Sequence, residues 1–118
     1  MNVQILDAIN GVITVEITGK LNPDELAANQ KEVLAQLREW GSGSILCICE
    51  NFEGWTGGDW SDLSFQLEAD PLIRKMAVIG EREWEELAMA FAASGVRPFP
   101  IAFFDSDHLV EARVWLQG

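Results

Sequence analysis

The segment Ser44-Ile45-Leu46-Cys47-Ile48-Cys49-Glu50-Asn51-Phe52 decides the fold. It is a continuous apolar run rather than an alternating one, as expected of a central strand covered on both faces. Upstream of it, Asn22-Pro23-Asp24-Glu25 is a helix start, with a capping Asn, Pro at the first helical position and acid near the positive end of the dipole. That helix carries Leu26, Val33, Leu34, Leu37 and Trp40 at the 3.6 period and ends at Gly41-Ser42-Gly43. Further out, Val3 to Ile9 and Val12 to Thr18 read as two strands turned at Asn10-Gly11, a dipeptide suited to a tight hairpin. In the second strand Val12, Thr14, Glu16 and Thr18 alternate with Ile13, Val15 and Ile17, which predicts one buried face and one half-wet face.

Downstream, Glu53-Gly54-Trp55-Thr56-Gly57-Gly58-Asp59-Trp60 is a glycine-rich loop, expected to open a second helix from Gly58 to Ala69 that Pro71 closes. Lys75 to Ile79 reads as a fourth strand, and Gly80 turns into a third helix from Glu81 to Ser94, stopped by Gly95. Pro98 to Phe104 reads as a fifth strand, after which Asp105-Ser106-Asp107 caps a final helix bearing Leu109, Ala112, Arg113 and Leu116. The order ββαβαβαβα predicts an α/β fold: a mixed, mostly parallel five-stranded sheet with four helices, because strands joined by a helix run parallel. No linker or repeat interrupts it, so residues 1–118 are read as one domain.

Five Trp, six Phe and a 48% apolar composition are too rich for a disordered chain. Nineteen acidic against eight basic residues give a net charge of −11, which repels the phosphates that supply most nucleic-acid affinity. The same charge argues against a polybasic anchor on anionic lipid and leaves only insertion through an apolar patch. No stretch is long enough for a spanning helix, and Met1-Asn2-Val3-Gln4 lacks the basic start of a signal peptide. The expectation is a cytoplasmic protein, with peripheral contact at the inner membrane through apolar side chains as its variant.

Several stretches, in order, resemble the SpoIIAA-like group of the STAS superfamily. They are Glu16-Ile17-Thr18-Gly19-Lys20-Leu21, then Phe52-Glu53-Gly54-Trp55 followed by Trp60, then Met76-Ala77-Val78-Ile79-Gly80 with Trp84, and finally Phe103-Phe104-Asp105 with Glu111-Ala112-Arg113-Val114-Trp115-Leu116. The resemblance spans nearly the whole chain and implies a STAS domain with a history as a switch or ligand-binding module. Better-known members antagonise anti-sigma factors and are switched by phosphorylation of a Ser between the third strand and the second helix. The matching stretch here, Asn51 to Gly58, has no Ser; Thr56 is its only hydroxyl, and Asp59 would repel a phosphate there. That departure favours the other role the resemblance implies, binding of an apolar small molecule or lipid. The alternative is a protein-interaction switch without the usual phosphoserine, with Gly54, Thr56, Gly57, Gly58 and Asp59 as the loop that docks a kinase-like partner.

The expected ligand-binding set is Trp55, Trp60, Phe65, Leu87, Phe91 and Phe104. Trp55 and Trp60 flank the Gly57-Gly58 pair, where two amphipathic rings either gate a pocket or cover the sheet edge. In the second helix Trp60, Leu63 and Leu67 share one face and Phe65 falls off it. In the third, Leu87 to Ala93 is apolar all round, which asks for a cover beyond the sheet: a ligand, lipid headgroups or the second copy of a homodimer. Cys47 and Cys49 are expected as core residues, and with the lone His108 they fall short of the four ligands of a closed zinc site. No nucleophile elbow, phosphate loop or dinucleotide fingerprint occurs, and Asp59 and Asp105 are the sole acids expected at strand tips. The sequence therefore points to a non-catalytic module without metal or cofactor.

Overall fold

The N-terminal hairpin turns at two residues of positive φ, Asn10 at 55° and Gly11 at 78°, as the tight primed turn requires. It joins β1 (Val3–Ile9) to β2 (Val12–Leu21), with Ile9 opposite Val12 in an antiparallel pair. The computed structural model describes residues 2–61, 64–93 and 95–118. After β2, Asn22 caps α1 (Pro23–Trp40) reciprocally. Its Oδ1 accepts from the Glu25 amide at 2.8 Å while its Nδ2 donates to the Glu25 carboxylate at 3.0 Å.

The chain continues through β3 (Gly43–Trp55), α2 (Ser64–Ala69), β4 (Ile73–Gly80), α3 (Glu85–Phe91), β5 (Ile101–Asp105) and α4 (Leu109–Gln117). Single 3₁₀ turns lie at Asp70–Leu72 and Arg82–Trp84. The five strands lie side by side in chain order, β2 to β5 all parallel and β1 antiparallel to β2. Each crossover thus steps one place in the same direction, and crossovers of one hand place their helices on one face. Val33, Leu34 and Leu37 of α1 and Ala69 of α2 share a core there with Ile13, Val15, Ile45 and Val78, and Ala88 of α3 packs against it. The reverse face belongs to α4, whose Ala112 and Leu116 close over Val12, Leu46, Ala77 and Ile79.

This second layer accounts for part of the face of β2 expected to be half-wet: Val12, packed with Ala112 and Leu116 of α4, is 6% exposed and Thr14 1%, while Glu16 and Thr18 remain half-buried. Other boundaries also move, among them that of the third helix, which begins at Glu85 rather than Glu81, behind the 3₁₀ turn at Arg82–Trp84, and ends at Phe91. The second helix begins at Ser64 rather than Gly58, which leaves Trp60 in the loop. Leu63 and Ser94, assigned to the second and third helices from the sequence, lie outside the described residues. With Trp60 off the helix, the inward positions of α2 are Phe65 and Ala69, four apart, and Leu67 is 80% exposed, the reverse of the face inferred from the sequence. β5 starts at Ile101 because Pro98 and Pro100 lack the amide a ladder needs. The residue at the head of α4 is His108, and no side chain caps it, so the acids at 105 and 107 do not cap as expected.

Candidate functional site

One face of a five-stranded sheet is roofed by an 18-residue helix and two helices of six and seven residues. The short helices cannot cover what α1 covers at its end of the sheet, and a cavity of about 650 Å³ lies beneath them. Volumes of this size hold small-molecule ligands. Its floor is Cys47 and Cys49 of β3, Val78 of β4 and Phe103 of β5; Asn29 and Val33 of α1 form one wall, and Phe65, Ala88 and Phe91 come from the roof. Strand alternation explains the floor, since the pairs Cys47–Val78 and Val78–Phe103 are in register on one face.

A continuous aromatic chain closes one end. Phe52 meets Trp55 at 5.0 Å and Trp84 at 5.1 Å between centroids, both edge to face. Phe91 bridges Trp55 at 5.3 Å and Trp60 at 5.4 Å, within the range where aromatic pairs attract. Trp60 is steadied by donation from its Nε1 to the Thr56 carbonyl at 3.0 Å. Of the Gly57-Gly58 pair, Gly57 has open space where a Cβ would stand, whereas Gly58 is closely fitted. Gly58 has φ of 128°, and a Cβ there would stand 3.1 Å from Pro23 at the start of α1.

Of the six side chains expected to bind, Trp55, Trp60, Phe65 and Phe91 come together around this cavity. Leu87 is 54% exposed on the outer side of α3 and is not part of the lining. Phe104 lies on the reverse face against Trp115 of α4, at 5.9 Å. Its neighbour Phe103 takes the cavity position, a one-residue parity error in reading β5. In the expected switch loop Thr56 donates from its hydroxyl to the Gly57 carbonyl, and Asp59 accepts from both the amide and the hydroxyl of Ser61. Because the helix starts later than expected, that loop contains Ser61 as well as Thr56.

Two lining residues were not singled out in the sequence. Asn29 is 6% exposed, and its Nδ2 has no hydrogen-bond partner among the described residues; the same holds for the Nε1 of Trp55. Asn29 continues the Leu26, Val33, Leu37 stripe of α1 at helical spacing, so a polar residue in an apolar row was the available signal. Arg97 had no such signal, since its partner is remote. Its side chain is 7% exposed, reaches Asp70 at 2.5 and 3.1 Å, and lies over the Phe99 ring.

The thiols on the floor are inert by environment. Burial pushes the Cys47 pKa up to about 11, with Arg97 opposing, and burial pushes Cys49 up to about 12, with Cys47 adding to it. Both therefore stay protonated through the physiological range. Raised native pKa values mean that, once pH passes 9, the unfolded chain sheds protons the native state keeps. Stability is then expected to be full below pH 9 and to fall between 9 and about 12. Alkylation by iodoacetamide at pH 8 is expected to run about a hundredfold slower than for a free thiol; labelling at the free-thiol rate would contradict this environment.

The acids expected at the strand tips are engaged elsewhere. Hydrogen bonds from Ser61 hold the Asp59 carboxyl below its usual range, and Asp105 pairs with Arg82 at 2.5 Å. Asp105, Asp107 and His108 bring possible metal-ligand atoms within 4.8 Å of one another, but the Arg82 guanidinium already occupies Asp105.

The SpoIIAA-like family model matches residues 12–117 of the chain. The chain belongs to the SpoIIAA-like family. Its fold is shared with the crystal structure of an uncharacterized DUF3478-family protein with a SpoIIAA-like fold from Shewanella loihica PV-4. The two are 20% identical with a TM-score of 0.69, over 97% of this chain and 91% of that one; at that identity the likeness concerns the fold. No curated protein matches the chain. Among the described residues of this SpoIIAA-like protein, no helix is long and apolar enough to cross a membrane.

Proposed function

We propose that this SpoIIAA-like protein is a non-catalytic binding module that takes an apolar small molecule, or the acyl part of a lipid, into the cavity beneath α2 and α3. The observation that carries this is the cavity itself, about 650 Å³ of mostly apolar lining beneath two helices of six and seven residues. No residue of α3 is fully buried, and a one- or two-turn helix has little stability of its own. Movement of these helices is the route by which a ligand enters, and the same movement releases Phe91 from the two indoles.

Reversible contact with a bilayer surface extends the proposal. Leu67, Leu87, Phe91 and Val96 are all exposed and all lie on α2, α3 or the segment after it. An open state that buries them in lipid would be selected by the membrane as a population shift. The test is native mass spectrometry of protein purified without detergent, followed by tryptophan emission on adding vesicles. A retained apolar adduct or a blue shift is expected; a clean protein mass with unchanged emission would overturn the reading.

A further inference from the structure

The cavity has two electrically different ends. Arg97 precedes β5 and Asp70 precedes β4, so their pair lies where these parallel strands begin. Trp55 ends β3 and Trp84 follows β4, which puts the aromatic cluster where the strands finish. Asp24 and Asp59 belong to the aromatic end as well: they follow Pro23 and Gly58, whose close approach brings α1 to the loop after β3. Between the ends, the floor from Met76 to Gly80 runs about 13 Å at the rise of a strand.

The charges at these ends differ in weight. Asp59 is exposed and Asp24 half-buried, so water and salt screen them. Arg97 has a side chain only 7% exposed and belongs to the lining, whereas its partner Asp70 does not. Its Nε and Nη2 reach Asp70 and its Nη1 meets the Ala92 carbonyl at 3.5 Å, which leaves part of the guanidinium fork without a partner among the described residues. Its charge is felt on the floor, where it opposes the upward push of burial on the Cys47 thiol. Desolvation of a carboxylate is offset only beside a fixed cation, and Asp70 and the Phe99 ring already hold this one in place.

We infer that the ligand is an apolar carboxylic acid that lies along the floor with its carboxylate toward Arg97 and its hydrocarbon tail under the aromatic cluster. This rests on the apolar-binding reading above and names the chemistry and orientation within it. A cationic amphiphile of the same length would have to leave its head at the screened acids of the aromatic end or bury it beside Arg97, and neither site gives it the advantage the anion has.

The test is a titration at pH 7.5, followed by calorimetry and tryptophan emission, with three ten-carbon probes below their micelle concentrations: decanoate, 1-decanol and decylammonium. Decanoate is expected to bind roughly tenfold tighter than decanol, the worth of one hydrogen bond to a charged group, and to exceed decylammonium by more. The double variant Arg97→Met with Asp70→Leu removes the cation together with its partner and is expected to erase the preference for decanoate over decanol. In the wild type the Arg97 Nε–H resonance is expected to shift more on saturation with decanoate than with decanol, a measurement that stands should the double variant fold poorly. Decanol or decylammonium binding as tightly as decanoate, a decanoate preference unchanged in the double variant, or an unmoved Arg97 resonance would overturn the assignment while leaving apolar binding intact. No binding of any of the three would instead sink the apolar-binding reading itself.

Discussion

Replacing Arg97 with methionine is expected to cost about 3 kcal/mol, the loss typical when one partner of a buried ion pair is removed and the other stays behind. Asp70 is that residue, its side chain 19% exposed against 7% for Arg97. The pair also has a topological role. Asp70 stands in the turn that follows α2, and Arg97 in the segment between α3 and β5, so the pair ties together the chain beyond both short helices. Breaking it is expected to loosen the roof as well as lower the urea midpoint. The double variant Arg97→Met with Asp70→Leu should recover most of the loss, since a well-packed apolar pair avoids the uncompensated charge. If the single variant unfolds at the wild-type midpoint, the pair contributes nothing to holding the roof.

The second large effect concerns binding. Phe91→Asp places a carboxylate between Trp55 and Trp60, where a ring now bridges them. Phe91 is 42% exposed and lies on a seven-residue helix, so the sheet and α1 should fold as before. Association with apolar probes or vesicles should fall by more than about tenfold, since burying a charge at such a site exceeds the worth of the lost ring. Vesicle and probe binding at wild-type levels, with unchanged far-ultraviolet circular dichroism, would remove α3 from the site.

These effects turn on residues that differ in how openly the sequence announces them. Asn22-Pro23 with Glu25 and Asn10-Gly11 are local signals with local causes, and the elements they bound lie where the pattern puts them. The apolar run from Ser44 to Phe52 is the central strand its composition suggests, with Ser44, Ile45 and Leu46 buried between helices on both faces and the part from Cys47 to Phe52 only half-buried or exposed. Phe91 and the tryptophans are visible as aromatics near glycines, and their meeting is a tertiary event that the βαβ order brings about. Phe104 shows the limit: a Phe-Phe pair on a strand gives no internal sign of which ring faces which layer, and the register with β4 alone assigns Phe103 to the cavity. The late start of α2 has a similar origin. Gly58 has a φ of 128° and sits where a Cβ would crowd Pro23, a close approach between residues distant in the chain that no local propensity encodes. Arg97 and Asp70 find each other only once α3 has crossed the sheet.

The α4 layer has a consequence for how the molecule breathes. Leu46 and Ala77, with no exposed surface, and Ile79, at 2%, are sealed by Ala112 and Leu116 without help from the cavity side. The sheet therefore keeps one dry seam whatever happens above it, and the amides around Leu46, Ala77 and Ile79 are expected to exchange with solvent only through global unfolding. Amides of α2 and α3 exchange through a cheaper, local excursion. The protein is in effect two cooperative units of unequal stability sharing one sheet, and the weaker of them is the one that roofs the cavity.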